Sequence, residues 1–208
     1  VYAAIKDTHH GNSWNLWPPP LKMHDEQTIA EYRNMHQVEI LWQQFVQFLF
    51  FRQWHSLKDF AINNGIKIIG DIPIFVSYDS SDVWSNPHLF DLDPDCRPRV
   101  VAGVPPDYFS STGQLWGNPL YKWEEHKKTG YSWWISRLQQ VLTMVDIIRL
   151  DHFRGFAGYW EVPAGMTTAE KGQWVTGPGE DFFNTVINRL GDLPIIAEDL
   201  GEITPDVI

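Results

Sequence analysis

Apolar side chains recur at helical spacing between residues 29 and 63. Positions three or four apart lie on one face of a helix, so this stretch predicts two helices or one bent helix. Thr28 is the predicted N-cap, with Glu31 as its partner in a capping box. Gly65 is predicted to end the helix, because glycine readily adopts the left-handed backbone of a C-terminal cap.

Three short runs of apolar, mostly β-branched residues predict buried strands. They cover residues 66–70, 145–150 and 194–197. Nearly continuous apolar runs of this length are typical of parallel strands that are covered on both faces. Helical patterns precede the second and third runs, over residues 132–144 and 180–190. The alternation of helix and strand predicts an α/β fold with a parallel sheet.

Two stretches show neither pattern. Residues 1–28 contain three consecutive prolines at 18–20, which we expect to be extended, so this part is predicted to be irregular. Residues 72–128 are rich in proline, glycine, aspartate and aromatic residues and are predicted to form a long inserted loop. A loop of this length is usually functional or disordered, and its aromatic content argues against disorder.

Each predicted strand is followed by a carboxylate: Asp71, Asp151 and Glu198. In α/β barrels the active site is built at the carboxyl ends of the strands, so these side chains are expected to converge at one edge. Two converging carboxylates are the minimum for glycoside chemistry. One must be ionised to attack the sugar, and the other must hold a proton for the leaving oxygen.

Arg149 lies two residues before Asp151, which places both side chains on the same face of a strand. A guanidinium at that position is expected to lower the pKa of Asp151 and keep the carboxylate ionised. A structural ion pair at the end of a strand explains the same two residues equally well. Asp199 is expected only to cap the following helix.

The amino-acid composition argues against some kinds of binding partner and in favour of others. The 208 residues correspond to one or two domains at roughly 150 residues each. A net charge of −10 argues against nucleic acid or an anionic membrane and fits a neutral ligand. No stretch of about 18 uncharged apolar residues predicts a transmembrane helix. The single cysteine, Cys96, excludes an internal disulfide and favours a reducing compartment.

Tryptophan is the outlier of the composition, with 11 residues. Such a surplus requires a large core or a ligand with flat apolar faces, and sugar rings are such ligands. Trp42 and Trp54, at helical spacing, are predicted to be in the core. The histidines lack a metal-binding spacing, and the acidic run 91–95 departs from a calcium loop at Cys96, so no metal site is predicted.

Five long motifs resemble those of the 4-α-glucanotransferases, also called amylomaltases or disproportionating enzymes. They are GDIPIFV (70–76), GVPPDYFS (103–110), GQLWGNPLY (113–121), DIIRLDHFRG (146–155) and IAEDLG (196–201). The resemblance implies a (β/α)8 TIM barrel of the α-amylase type. Residues 1–208 would be one partial catalytic domain, the middle part of that barrel, with the insertion at about 72–128.

The resemblance also implies roles for individual residues. Asp151 matches the nucleophile and Glu198 the general acid/base. The residues that match substrate-binding positions are Arg149, His152, Asp71, Tyr108, Gln114, Trp116 and Asn118. The implied substrates are α-1,4-glucans, with no cofactor and no metal, and the implied location is the cytoplasm or, in a plant, the plastid.

The family's pattern extends beyond this sequence. Its third catalytic carboxylate would follow Ile208, its first barrel strands would precede Val1, and a helix is expected to begin at 202–205. Two alternatives to glucan transfer stay open. A retaining hydrolase would use the same residues and pass the sugar to water, and a catalytically incomplete fragment would bind glucans without turnover.

Overall fold

The computed structural model describes residues 1–200 and 207, so the helix expected at 202–205 lies outside the described residues. The helices are α1 Tyr2–Thr8, α2 Pro19–Lys22, α3 Glu26–Met35, α4 Gln37–Asn63, α5 Ser81–Ser85, α6 Trp123–Lys128, α7 Ser132–Met144 and α8 Gly179–Leu190. The strands are β1 Ile69–Pro73, β2 Val100–Val104, β3 Gln114–Pro119, β4 Ile147–Asp151, β5 Gly158–Pro163, β6 Gln173–Thr176 and β7 Ile195–Ala197.

The predicted parallel sheet is present and has the order β1-β4-β7, which confirms the α/β class. The first strand begins at Ile69 and continues to Pro73, three residues later than predicted. The side chain of Asp146 accepts the Ile68 N–H at 2.8 Å, and the ladder with β4 begins one residue further on. Asp71 therefore lies inside β1, opposite Arg149, and does not follow the strand.

The long helical stretch forms two helices, α3 and α4, which are separated at His36. This is the first of the two predicted alternatives, two helices or one bent helix. The predicted cap is wrong by three residues. Asp25 is the N-cap of α3, and its Oδ1 accepts both the N–H and the hydroxyl of Thr28, at 2.8 and 2.7 Å. The predicted end is confirmed, since α4 ends at Asn63 and Gly65 has a φ of +73°.

Residues 1–28 are not irregular, as the proline run had suggested. They form α1, a 3-10 turn over Trp14–Leu16, and α2. Pro19 and Pro20 occupy the first turn of α2. Backbone N–H groups in a first turn have no partner within the helix, so the N–H that proline lacks costs no hydrogen bond there. This part of the chain contributes Ile5, Trp14 and other apolar residues to the core.

The predicted loop 72–128 contains α5, β2, β3 and α6, so it is largely ordered secondary structure. Strands β2 and β3 pair with β5 and β6 in an antiparallel sheet of order β3-β2-β5-β6. This second sheet was not predicted from the sequence, because its strands are short and the pairing of β2 with β5 joins segments that are distant in sequence. The sheet forms one side of the cleft described below.

Some of the tryptophans are buried in the core, and others are partly or largely exposed. Trp14 and Trp134 are fully buried in the core with Phe90, Phe156 and Phe182. Trp54 is partly buried, and its Nε1 donates to the Met144 carbonyl at 2.8 Å, which ties α4 to α7. Trp42 is 61% exposed, so its predicted place in the core is wrong within the described structure.

His126 is completely buried among aromatic rings. Burial lowers the pKa of His126 from 6.5 to about 4, because the charged imidazolium would lose its hydration. The folded protein therefore holds this ring neutral where an unfolded chain would protonate it.

We expect the free energy of unfolding to fall as the pH drops from 6.5 to about 4, since the unfolded chain binds the extra proton over that range. The full shift corresponds to about 3 kcal/mol. The variant His126→Phe should remove the part of this fall that belongs to His126, as measured by comparing urea unfolding at pH 7 and at pH 4.5. The exposed His10, changed to Asn, is the control, and an unchanged pH dependence in His126→Phe would contradict the assignment.

Candidate active site

Four charged side chains meet at the carboxyl edge of the parallel sheet. Asp71 comes from β1, Arg149 and Asp151 from β4, and Glu198 directly follows β7. The Glu198 N–H donates to the Leu150 carbonyl at 3.1 Å, which extends the strand pairing by one residue. The convergence that the sequence predicted at this edge is therefore present.

Arg149 contacts all three carboxylates. Its Nε and Nη2 donate to the two oxygens of Asp71, each at 2.7 Å. Its Nη1 donates to Glu198 Oε1 at 2.9 Å, and Nη2 also contacts Asp151 Oδ1 at 3.2 Å. The bidentate pair with Asp71 is the strongest of these contacts, because two parallel hydrogen bonds match the guanidinium geometry. Arg149 is thus a shared counter-ion.

The electrostatics of Asp151 differ from the expectation. Its pKa is raised above the ordinary 3.8, first by burial and then by the negative charges of Glu198 and Asp71. Arg149 acts in the predicted direction and lowers the pKa, but its charge is divided among three carboxylates. The predicted effect of Arg149 is therefore present, but burial and the two neighbouring carboxylates outweigh it, so the net pKa of Asp151 is raised instead of lowered.

Glu198 is fixed from a second side. The backbone N–H of His152 donates to Glu198 Oε2 at 2.6 Å, so each carboxylate oxygen has its own donor. His152 adopts a left-handed backbone with φ of 54°, uncommon for a residue with a Cβ. The short turn after β4 therefore orients the carboxylate of Glu198. The other candidate catalytic residue, Asp151, is the last residue of β4, where this turn begins.

The ring of His152 borders the cleft and is held neutral. Burial, followed by the positive charge of Arg154, lowers the pKa of His152 to about 4. Its Nε2 is buried and has no hydrogen-bond partner among the described residues. Trp116 contacts the ring edge to face, with 4.8 Å between centroids. A neutral imidazole with a free nitrogen is suited to a hydroxyl group of a ligand.

Gly155 is required for this arrangement. A Cβ at position 155 would stand 2.8 Å from His152 Cδ2 and 2.9 Å from Ile74 Cδ1, which is closer than real contacts allow. We expect Gly155→Ala to displace the imidazole and to lower kcat/KM by about 100-fold, since a shift near 1 Å in an active site has that effect. Steady-state assays measure it, and Gly158→Ala, where an added Cβ would meet only an ordinary contact of 3.5 Å and the backbone φ is not positive, controls for general glycine effects. Full activity in Gly155→Ala would show that His152 is not positioned by this contact.

A cleft of about 410 Å³ extends from the carboxylates to the antiparallel sheet. It is lined by Gly103, Val104, Asp107, Phe109, Gln114, Trp116, Asp151, His152, Arg154, Trp174, Glu198 and Leu200. The sequence analysis missed Phe109, Arg154, Trp174 and Leu200 as site residues. Arg154 and Phe109 lie inside recognised motifs and could have been found there, whereas nothing local in the sequence indicated Trp174.

Four predicted site residues do not line this cleft. Arg149 and Asp71 belong to the carboxylate cluster at its edge, and Tyr108 and Asn118 stand apart. Tyr108 is 97% exposed and does not line it, although Phe109 beside it does. Asn118 donates to the Val76 carbonyl at 2.9 Å and borders a smaller adjoining cleft with Trp116 and His152. Gln114 accepts from Trp116 Nε1 at 3.1 Å, so it orients the indole that lines both clefts.

A cleft of about 440 Å³ beside α3 and α4 is lined by Val1, Arg33, Gln37, Ile40, Leu41 and Gln44, none of which is a carboxylate. No group of His, Cys, Asp or Glu within the described part of the chain could hold a metal ion. Among the described helices, none combines the length and apolar character of a membrane span.

Comparison with known proteins gives one consistent family. A family model described as 4-alpha-glucanotransferase matches residues 1–208. The chain is 50% identical over 207 residues to the 4-alpha-glucanotransferase of Thermus thermophilus, and 50% identical over 209 residues to that of Synechocystis. Both matches cover 100% of this chain and 41% of the relative, so the chain spans about two-fifths of the length of these relatives.

The fold comparison agrees with the sequence comparison. The amylomaltase from Streptococcus agalactiae in complex with acarbose is 44% identical to this chain and superimposes with a TM-score of 0.94. That match covers 98% of this chain and 41% of the other.

Proposed function

This chain belongs to the 4-alpha-glucanotransferase family, and on that basis we propose that it forms the middle part of the catalytic domain of such an enzyme. The proposed reaction transfers an α-1,4-glucan segment to the 4-OH of another glucan or of glucose. The observation that carries this proposal is the cluster of Asp71, Asp151 and Glu198 around Arg149 at the edge of an aromatic-lined cleft. The single cysteine supports a reducing compartment, the cytoplasm or a plastid.

The proposed architecture is a (β/α)8 barrel in which β1, β4 and β7 are neighbouring strands and 72–128 is an insertion. Support comes from the parallel order of these strands, with α4 preceding β1, α7 preceding β4 and α8 preceding β7. The exposed apolar face of α4, which includes Leu41, Trp42 and Phe48, is the surface that the remainder of such a barrel would cover.

The proposed mechanism is a retaining double displacement. A carboxylate oxygen of Asp151 attacks the anomeric carbon, the glycosidic C–O bond breaks, and Glu198 gives its proton to the leaving oxygen. In the second step Glu198 takes the proton of the acceptor 4-OH, whose oxygen displaces Asp151 from the sugar. Atoms and charge balance over the two steps, with no cofactor or metal.

The other candidate residues have proposed supporting roles. Arg149 and Asp71 hold the catalytic carboxylates in place, and the ring of His152 lines the cleft beside the donor sugar. Trp116, oriented by Gln114, packs against the sugar chain, with Asn118 fixing the adjacent loop. Tyr108 is proposed to contact the glucan only when the loop closes, because it is fully exposed here.

Incubation of the complete enzyme with maltotriose tests the proposal. Transfer produces a ladder of longer and shorter glucans, whereas a hydrolase releases only glucose and maltose. A protein that binds maltoheptaose in a titration but converts neither sugar would be a glucan-binding module. Either of the last two results contradicts the proposed transferase.

We expect the isolated 208-residue polypeptide to show no detectable transfer and to self-associate. Its α4 face exposes large apolar side chains, and β1 and β7 present unpaired sheet edges within the described structure. Light scattering at increasing concentration measures the association, and the maltotriose assay measures the activity. Replacing Leu41 and Phe48 with Glu should raise the monomer fraction without restoring activity. A monomer with a hundredth of the complete enzyme's rate would contradict this expectation.

A further inference from the structure

Arg154 lies in the wall of the cleft, and none of the described carboxylates forms an ion pair with it. Its side chain is only 7% exposed, and its Nε is buried with no hydrogen-bond partner among the described residues. The guanidinium carbon stands 4.1 Å from the ring centroid of Trp174. A buried cation is costly unless it is compensated, and a contact with an aromatic face supplies part of that compensation. The contact between Arg154 and Trp174 therefore constrains the orientation of the indole ring.

Trp174 is held on two sides and open on a third. The Arg154 guanidinium covers one region of the indole, and Trp160 contacts it edge to face with 5.4 Å between centroids. The residue is nevertheless 44% exposed, and its open part borders the cleft. A large aromatic ring that is fixed in place yet open to a cleft is suited to the flat apolar face of a sugar.

The position of Trp174 separates it from the reacting groups. Asp151 and Glu198 belong to the parallel sheet, whereas Trp174 lies on β6, the edge strand of the antiparallel sheet across the cleft. We propose that Trp174 is a stacking platform for a glucose unit remote from the cleaved bond, and that Arg154 is a positioning residue that fixes the indole. This proposal rests on the proposed glucan transfer.

Donors of different length test the platform in the complete enzyme. Trp174→Ala should lower kcat/KM for maltoheptaose by about tenfold, the effect of about 1.4 kcal/mol of lost contact. With α-glucosyl fluoride, which supplies only the reacting glucose unit, kcat/KM should stay within about twofold of the wild type. The exposed Lys171, which lies between β5 and β6 and outside this cleft, provides Lys171→Ala as the matched control.

Arg154→Lys tests the positioning role, because it keeps the positive charge near His152 but loses the planar group over the indole. We expect a loss of about three- to tenfold with maltoheptaose and none with the fluoride. The double variant Trp174→Ala/Arg154→Lys should lose no more than Trp174→Ala alone, since both changes remove the same contact. Losses that multiply would show that Arg154 acts independently of Trp174 and would overturn its assigned role.

The outcomes distinguish this proposal from the proposed function. If the wild type produces the maltotriose ladder and Trp174→Ala behaves like the wild type with both donors, the platform is refuted and the transferase stands. Equal losses with both donors would place Trp174 in support of the reacting groups and would also refute the platform. If the wild type produces no ladder, the proposed function itself fails.

Discussion

Asp151→Asn should lower the transfer rate of the complete enzyme by about 10⁴-fold or more, equivalent to about 5–6 kcal/mol of activation free energy. An amide cannot form the covalent bond to the anomeric carbon or carry the negative charge that is transferred to the sugar. The Asn side chain can keep its oxygen near Arg149, where Asp151 Oδ1 now accepts at 3.2 Å, so the fold should be unaffected. Maltotriose disproportionation measures the loss.

A trapping experiment identifies the nucleophile directly. A fluorinated glucosyl donor followed by peptide mass spectrometry should label the peptide that contains Asp151. Asp199→Asn, at an exposed carboxylate that does not line the cleft, is the control and should retain activity. Label on a different carboxylate would refute the assigned role.

The raised pKa of Asp151 also has a kinetic consequence. The nucleophile must be ionised, and kcat/KM reports the protonation states of the free enzyme. The acid limb of kcat/KM is therefore expected above pH 3.8.

Local sequence patterns predicted the elements that position the carboxylates. The β-branched runs indicated β1, β4 and β7, and helical periodicity indicated α4, α7 and α8, because burial on one face or on both leaves a pattern in the sequence. The displaced start of β1 and the cap at Asp25 were not predictable, since pairing with β4 and competition between neighbouring polar residues decide them.

The antiparallel sheet and its contribution to the cleft were not predicted. Strands β2 and β3 are joined to β5 and β6 by contacts distant in sequence, which no short window contains. Trp174 reaches the cleft only through that pairing. The net pKa shift of Asp151 likewise depends on burial and on the closeness of Glu198 and Asp71; the sequence predicted that these carboxylates converge, but the expected pKa took only Arg149 into account.

Glu198→Gln should slow cleavage of maltotriose far more than release of fluoride from α-glucosyl fluoride. General acid catalysis contributes about 10²–10⁴-fold when the leaving oxygen needs a proton, and fluoride needs little assistance. We therefore expect kcat/KM to fall by about 10³-fold for maltotriose and by less than about tenfold for the fluoride. Glu170→Gln, at an exposed residue outside the cleft, is the matched control.

The hydrogen bonds of Glu198 define what this variant changes besides acidity. The carboxylate accepts from Arg149 Nη1 at 2.9 Å and from the His152 N–H at 2.6 Å, whereas an amide offers one oxygen and places its NH₂ against the other donor. That mismatch costs about 1–3 kcal/mol and should lower the melting temperature. Because this mismatch affects the reactions of maltotriose and of α-glucosyl fluoride alike, the ratio of the two kcat/KM values isolates the contribution of proton transfer. Equal slowing of maltotriose and the fluoride would show that Glu198 positions its neighbours and is not the acid.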